Sequence, residues 1–159
     1  MRLKTRSVHI AGVTTAPNGA FMKQVARNLT DVSDGLLLNS RYLIMGRDTK
    51  YTEDFRDHLD REGVKPVRCP VRAPNCNAFA ERFVRSIKDE CLDRMIYFGE
   101  TSLRRALRAY VIHYHVERNH QGVGNRLLEP LVEVGSTNDP IHCRERFGGR
   151  LNFYYREAA

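Results

Sequence analysis

The chain alternates short apolar bursts with longer stretches in which apolar residues return at helical spacing. In "RSVHIAGVTT", Val8, Ile10 and Val13 place β-branched residues in a short run, which predicts a first strand. "APNGAFMKQVARNLTDV" comes next, with Pro17 suited to a helix start and Phe21, Val25 and Leu29 every fourth residue, the mark of an amphipathic helix. The burst "RYLIMG" predicts a second strand. In "TEDFRDHLDREG" Thr52 is a plausible N-cap, Phe55 and Leu59 share a face, and Gly63 is a C-terminal stop, so a short helix is expected. "VKPVRCPV" reads as a further brief strand, which Pro66 pushes towards a sheet edge because it has no N–H to donate.

From Asn77 to about Met95, Phe79, Phe83, Ile87 and Cys91 recur every four residues and predict a buried stripe flanked by Ala80, Val84 and Leu92. Glu81 lies off that stripe, and Arg85 and Lys88 share its face. On spacing alone this is a solvent-exposed ion pair worth about 0.3 to 0.5 kcal/mol. "TSLRRALRAYVIHYHVERNHQG" predicts another helix, with Leu103, Leu107, Val111 and Tyr114 facing inward and Gly122 past its end. His113, His115 and His120 lack the i, i+4 spacing of a helical zinc pair, so no metal role is expected of them. "EPLVEVGSTNDP" has the composition of a linker, and "IHCRERFGGRLNFYYREAA" predicts a hairpin around Gly148-Gly149.

Composition narrows the picture only a little. At 159 residues and 42% hydrophobic content the chain can build an ordinary core, and a formal charge of +7 favours polyanionic partners without identifying one. Cys69, Cys76, Cys91 and Cys143 form no CxxC pair, which supports neither a zinc ribbon nor a disulfide scaffold and suggests reduced thiols. No apolar run approaches the roughly 18 residues of a membrane span, and "MRLKTRSVHIAG" lacks the apolar centre of a signal peptide, so a cytoplasmic location is expected.

The words "RDTKYT", "APNCNAFAERFVRSIKDECLD" and "YHVERNHQGVGNRL", in this order, resemble the integrase catalytic-core family of bacterial insertion-sequence transposases, of the DDE, retroviral-integrase-like kind. The resemblance covers nearly the whole chain. It implies a ribonuclease H-like α/β fold with sheet order 3-2-1-4-5, and cleavage and transfer of DNA strands by three carboxylates holding two Mg2+ or Mn2+ ions. Paired hard cations activate the attacking oxygen and stabilise the leaving one. Glu81 matches the third of these acids and is the expected metal ligand, while Arg85 and Lys88 match positions where the family places bases to meet DNA. With Arg72 and Arg82 they make up the expected DNA-binding set.

The chain departs from that pattern at the other two acids. The second opens the family word "D-R-D-T-K-Y", where this chain has Gly46 in "GRDTKYT". Asp48 is the remaining candidate, but two strand residues displace it by about 6.6 Å, more than the roughly 3.5 to 4 Å between paired metals. The first acid belongs to a strand expected upstream of Met1. The expectation is therefore a core lacking its first two strands over residues 1–128, with the linker and hairpin over 129–159. Its "SVHIAGV" strand would have to pair against "RYLIMG" or offer an open edge to a homo-oligomer partner or an intact transposase. The leading functional expectation is a catalytically inactive transposase core fragment. A non-catalytic DNA-binding module and a magnesium-dependent nuclease using Glu81 and Asp48 are the alternatives.

Overall fold

A computed structural model of the chain describes residues 1–130 and 138–156. Two compact units emerge, one of residues 9–82 and one of residues 1–8 together with 83–159.

The unit of residues 9–82 contains α1 (Gly19–Leu29), β1 (Tyr42–Met45), α2 (Glu53–Arg61) and β2 (Lys65–Arg68). Asn18 caps α1 by accepting from the Phe21 N–H at 3.0 Å, and Thr52 caps α2 in the same way by accepting from Phe55 at 3.3 Å. Each side chain satisfies a donor that the first helical turn leaves without a partner. Glu53 and Asp54 add negative charge at the positive end of α2, and Gly63, at φ 76°, takes the left-handed conformation past its end. The core joins Met22 and Ala26 of α1, Met45 of β1, Phe55 and Leu59 of α2, and Val64. Removing Phe55 and Leu59 from water contributes about 1.5 to 3 kcal/mol each before conformational entropy is counted.

β1 and β2 pair in parallel, with Ile44 opposite Val67 and Leu43 opposite Pro66. The N–H groups of Lys65 and Cys69 donate to Arg41 and Met45 on the β1 side, each at 2.9 Å. Because strand donors alternate sides, the nitrogen of Pro66 faces away from β1, where its missing proton costs no ladder bond. Pro66 therefore sits in an edge strand, as its chemistry requires.

The expected strand over "RSVHIAGVTT" does not form; residues 6–13 are irregular. Val8 is buried and its N–H donates to His115 Nε2 at 2.9 Å, so the backbone donor that a ladder would use is satisfied by a side chain. Gly12 lies against the Phe21 ring, leaving a Cβ only 2.7 Å of room. β-branched residues favour a strand only when a neighbour accepts the pairing. The sheet of this unit is two-stranded among the described residues, without the larger sheet order expected from the family resemblance.

α3 (Ala78–Glu90) crosses the division between the units, and the second unit adds α4 (Gly99–Val116), β3 (His142–Arg146) and β4 (Leu151–Tyr155). Phe83 and Ile87 are buried on α3, with Phe83 edge-on to Tyr114 at 4.9 Å between ring centroids. The helix stops at Glu90, short of the expected Met95, because Cys91 leaves helical geometry at φ −129° and ψ −65°. The Arg94 guanidinium then donates to the Asp89 carbonyl at 2.8 Å, covering an acceptor that the helix end leaves open. Phe79, expected in the stripe, is 45% exposed, and Val84 on its flank is also exposed.

α4 ends at Val116, before the expected Gly122, and buries Ala106, Tyr110, His113, Tyr114 and Val116. Leu103, Leu107 and Val111 are only half-buried, so the inward face is rotated from the one that leucine spacing suggests. The rotation brings in polar partners. Tyr110 donates to Glu90 at 2.8 Å, and Glu117 accepts from Arg146 at 2.6 and 2.7 Å and from His113 Nδ1 at 3.0 Å. That buried carboxylate ties the hairpin to the end of α4. The hairpin forms in the expected place, with the antiparallel pair His142 to Tyr155 and a turn in which Phe147, Gly148 and Gly149 all have positive φ. Most of the expected linker lies outside the described residues.

Candidate functional site

The polar groups expected to do chemistry belong to the unit of residues 9–82. Gly46 comes directly after β1, next to buried Met45, and a Cβ there would meet nothing within 4 Å. The backbone has room for an acidic side chain at this position but supplies hydrogen. Asp48 is exposed and already engaged, accepting from the Lys50 N–H at 3.0 Å and from its ammonium at 3.0 Å. Its carbonyl also accepts from Tyr51 at 3.2 Å, so Asp48 shapes the turn that delivers Thr52 to cap α2. The Lys50 N–H, and after it the Lys50 ammonium, holds the Asp48 carboxyl below the ordinary range.

Glu81 is exposed in the first turn of α3, where the helix dipole favours a carboxylate. The end of β2 lies within its electrostatic reach. The Cys69 thiol is pushed up by desolvation first, then by the neighbouring Cys76 thiol and the negative charge of Glu81. Cys69 is in turn bonded through its N–H to Met45, the residue before Gly46. Among the described residues Glu81 enters no ion pair, so the pairing that its spacing to Arg85 suggests is not made.

The donor set does not fit a pair of divalent cations. Among the described residues no three His, Cys, Asp or Glu side chains gather closely enough to hold an ion. Hard cations need several oxygen ligands each, and the Asp48 carboxylate is committed to Lys50. A shallow cleft of about 390 Å3 beside Asp48 is lined by Asn18, Gly19, Lys50 and Thr52, with no acid other than Asp48 itself.

The basic residues lie at the surface. Arg72 is exposed in the loop after β2, at a left-handed φ of 59°, and Arg82, Arg85 and Lys88 are exposed along α3. Arg82, Arg85 and Lys88 are off the line of Phe83, Ile87 and Cys91, so burial makes no demand on them. The three histidines each have a structural partner: His113 donates to Glu117, His115 accepts from Val8, and His120 Nε2 donates to the Tyr114 carbonyl at 2.7 Å. Sequence reasoning missed the Glu117 cluster. Glu117 lies four residues after His113, a helical spacing, whereas nothing local announces Arg144 and Arg146 as its partners.

No helix among the described residues is long and apolar enough to cross a membrane. A comparison with curated proteins finds no match. Residues 62–127, running from the end of α2 through β2, α3 and α4 and including Glu81, match the family model described as "Integrase core domain", which relates this part of the chain to integrases and transposases.

Proposed function

We propose that this chain is an integrase- and transposase-related DNA-binding protein that neither cuts nor joins strands. The observation that carries the reading is Gly46 at the end of β1, with space for a carboxylate and none supplied. Glu81 alone cannot hold two metal ions against water, and the Asp48 carboxylate would have to give up Lys50 to help. DNA binding makes no such demand. It relies on neutralising phosphates, and exposed Arg72, Arg82, Arg85 and Lys88 supply positive charge for that purpose. Such contacts position a duplex without reading its sequence, so affinity should be weak, indifferent to sequence and steeply dependent on salt.

The test combines a cleavage assay with a binding assay. The purified chain is incubated with labelled duplex in Mg2+ and in Mn2+, and a parallel fluorescence-anisotropy titration is run over a range of salt. The expected result is binding with no nicked or joined product. A metal-dependent cut that disappears in Glu81→Gln would overturn the proposal in favour of a nuclease.

A further inference from the structure

α4 carries three arginines, Arg104, Arg105 and Arg108, and one acid, Glu100. Arg104 and Arg105 stand four and three residues before Arg108, a spacing that brings all three onto one side of the helix within about 6 Å of axial rise. All three are exposed. Arg104 donates to Glu100, whereas Arg105 and Arg108 enter no ion pair among the described residues. Burial on either side fixes the direction of this face. Arg108 lies two residues after buried Ala106 and two before buried Tyr110, and two residues turn an α-helix by about 200°. Arg108 therefore points away from the line that packs on α3. Along that line Tyr110 and Tyr114 meet Phe83 at 6.4 and 4.9 Å between ring centroids, and the Cys91 thiol donates to the Ala106 carbonyl at 4.0 Å. The same count holds on α3, where Arg85 lies two residues from buried Phe83 and two from buried Ile87 and so points away from α4. The unit of residues 1–8 with 83–159 thus turns one basic face outward on α3 and a second outward on α4, in opposite directions.

We infer that the outer face of α4, through Arg105 and Arg108 with Arg104 beside them, is a second binding site for the phosphates of duplex DNA, so that one chain holds two duplexes at once. The bridging rests on the reading of α3 as a DNA-binding face, whereas the α4 site stands without it. Charge complementarity selects the occupant. Neighbouring guanidinium groups on one helix face repel each other, and phosphate oxygens placed between them turn that repulsion into charge-assisted hydrogen bonds. Arginine suits this task because its planar fork is always charged and matches two phosphate oxygens at a time. Duplex DNA carries one negative charge per about 1.7 Å of its axis, so a face about 6 Å long meets more than one phosphate. Glu100 is engaged by Arg104, and α4 has no further carboxylate to compete with DNA for Arg105 and Arg108. Because the α3 and α4 faces point in opposite directions, two duplexes bound there do not contend for the same space.

The test uses the whole purified chain, with its mass followed by light scattering at the assay concentrations. A short biotinylated duplex on streptavidin beads is mixed with the chain and a short fluorescent duplex, and the fluorescence held on the beads reads bridging. The parent should hold the second duplex. Arg105→Gln with Arg108→Gln should lose bridging but still bind a single duplex, and Arg85→Ala with Lys88→Ala should do the same. In the latter background, adding Arg105→Gln and Arg108→Gln should lower the slope of log affinity against log salt by about 1.8, at about 0.9 per phosphate, and weaken binding about tenfold between low and moderate salt. Arg105→Lys with Arg108→Lys keeps the charge and should keep bridging, and circular dichroism should show the same helicity in every variant. Bridging that survives Arg105→Gln with Arg108→Gln, or a salt slope that this pair leaves unchanged, would overturn the inference and leave the α3 reading standing. So would bridging confined to concentrations at which the chain is dimeric. A parent that binds no duplex even at low salt would overturn both.

Discussion

At Glu117, burial and ion pairing pull the carboxyl in opposite directions. Burial alone would raise it, but hydrogen bonds from Arg146, His113 and Arg144 more than compensate and hold it below the ordinary range. A carboxyl lowered by folding gives stability that is present above its unfolded pKa of about 4.3 and lost as pH falls through the folded value. Glu117→Gln should cost about 3 kcal/mol at neutral pH, because it leaves Arg146 facing a neutral partner in a buried site. Urea unfolding at pH 7 and again below pH 4 would check this, and the gap between mutant and parent should narrow in acid. His115 and His120 add a second acid-sensitive window. Desolvation lowers both, so each favours the folded state above its unfolded pKa of about 6.5 and penalises it as pH falls below that point. A parent stability profile that is flat between pH 7 and pH 5 would contradict that assignment.

Among the elements, α2 depends on its cap, while β1 is notable for the residue just past its end. Thr52→Ala removes the acceptor for the Phe55 N–H and should cost about 1 kcal/mol, seen as a lower thermal midpoint with unchanged cooperativity. The helix should persist, because Phe55 and Leu59 remain buried. Gly46→Asp should fold as well as the parent, since the added side chain enters open space. It should bind Mn2+ more tightly by calorimetry, having added a carboxylate directly after β1. Strand joining should still be absent, because carboxylates at positions 46 and 81 are two where a pair of hard cations needs at least three. Joining by this variant would show that one restored acid is enough.

On the scale of the whole molecule, the charge of +7 matters through where it is concentrated. If α3 meets phosphates, the double change Arg85→Ala and Lys88→Ala should reduce the slope of log affinity against log salt by about two units, at about 0.9 per phosphate. Both side chains are exposed, so the thermal midpoint should not move by more than about 0.5 kcal/mol equivalent. Salt titrations that superimpose for mutant and parent would mean that these bases only solvate the helix.

The sequence by itself determined the features that local chemistry decides. Thr52 capping α2, Gly63 ending it, Pro66 on a sheet edge and the glycine turn of the hairpin all arise from dihedral preference and hydrogen bonds a few residues long. The positions of Gly46 and Asp48 relative to β1 were legible for the same reason. Tertiary structure alone decided whether Val8, Ile10 and Val13 would make a strand, because a strand requires a neighbour and Val8 found a histidine nitrogen. It also decided which face of α4 is buried. Leucine spacing favoured Leu103 and Leu107, but Tyr110 and His113 had partners in Glu90 and Glu117, and burial went with the satisfied polar groups. The meeting of Glu117 with Arg146 joins residues far apart in the chain, and no residue pattern within either segment records it.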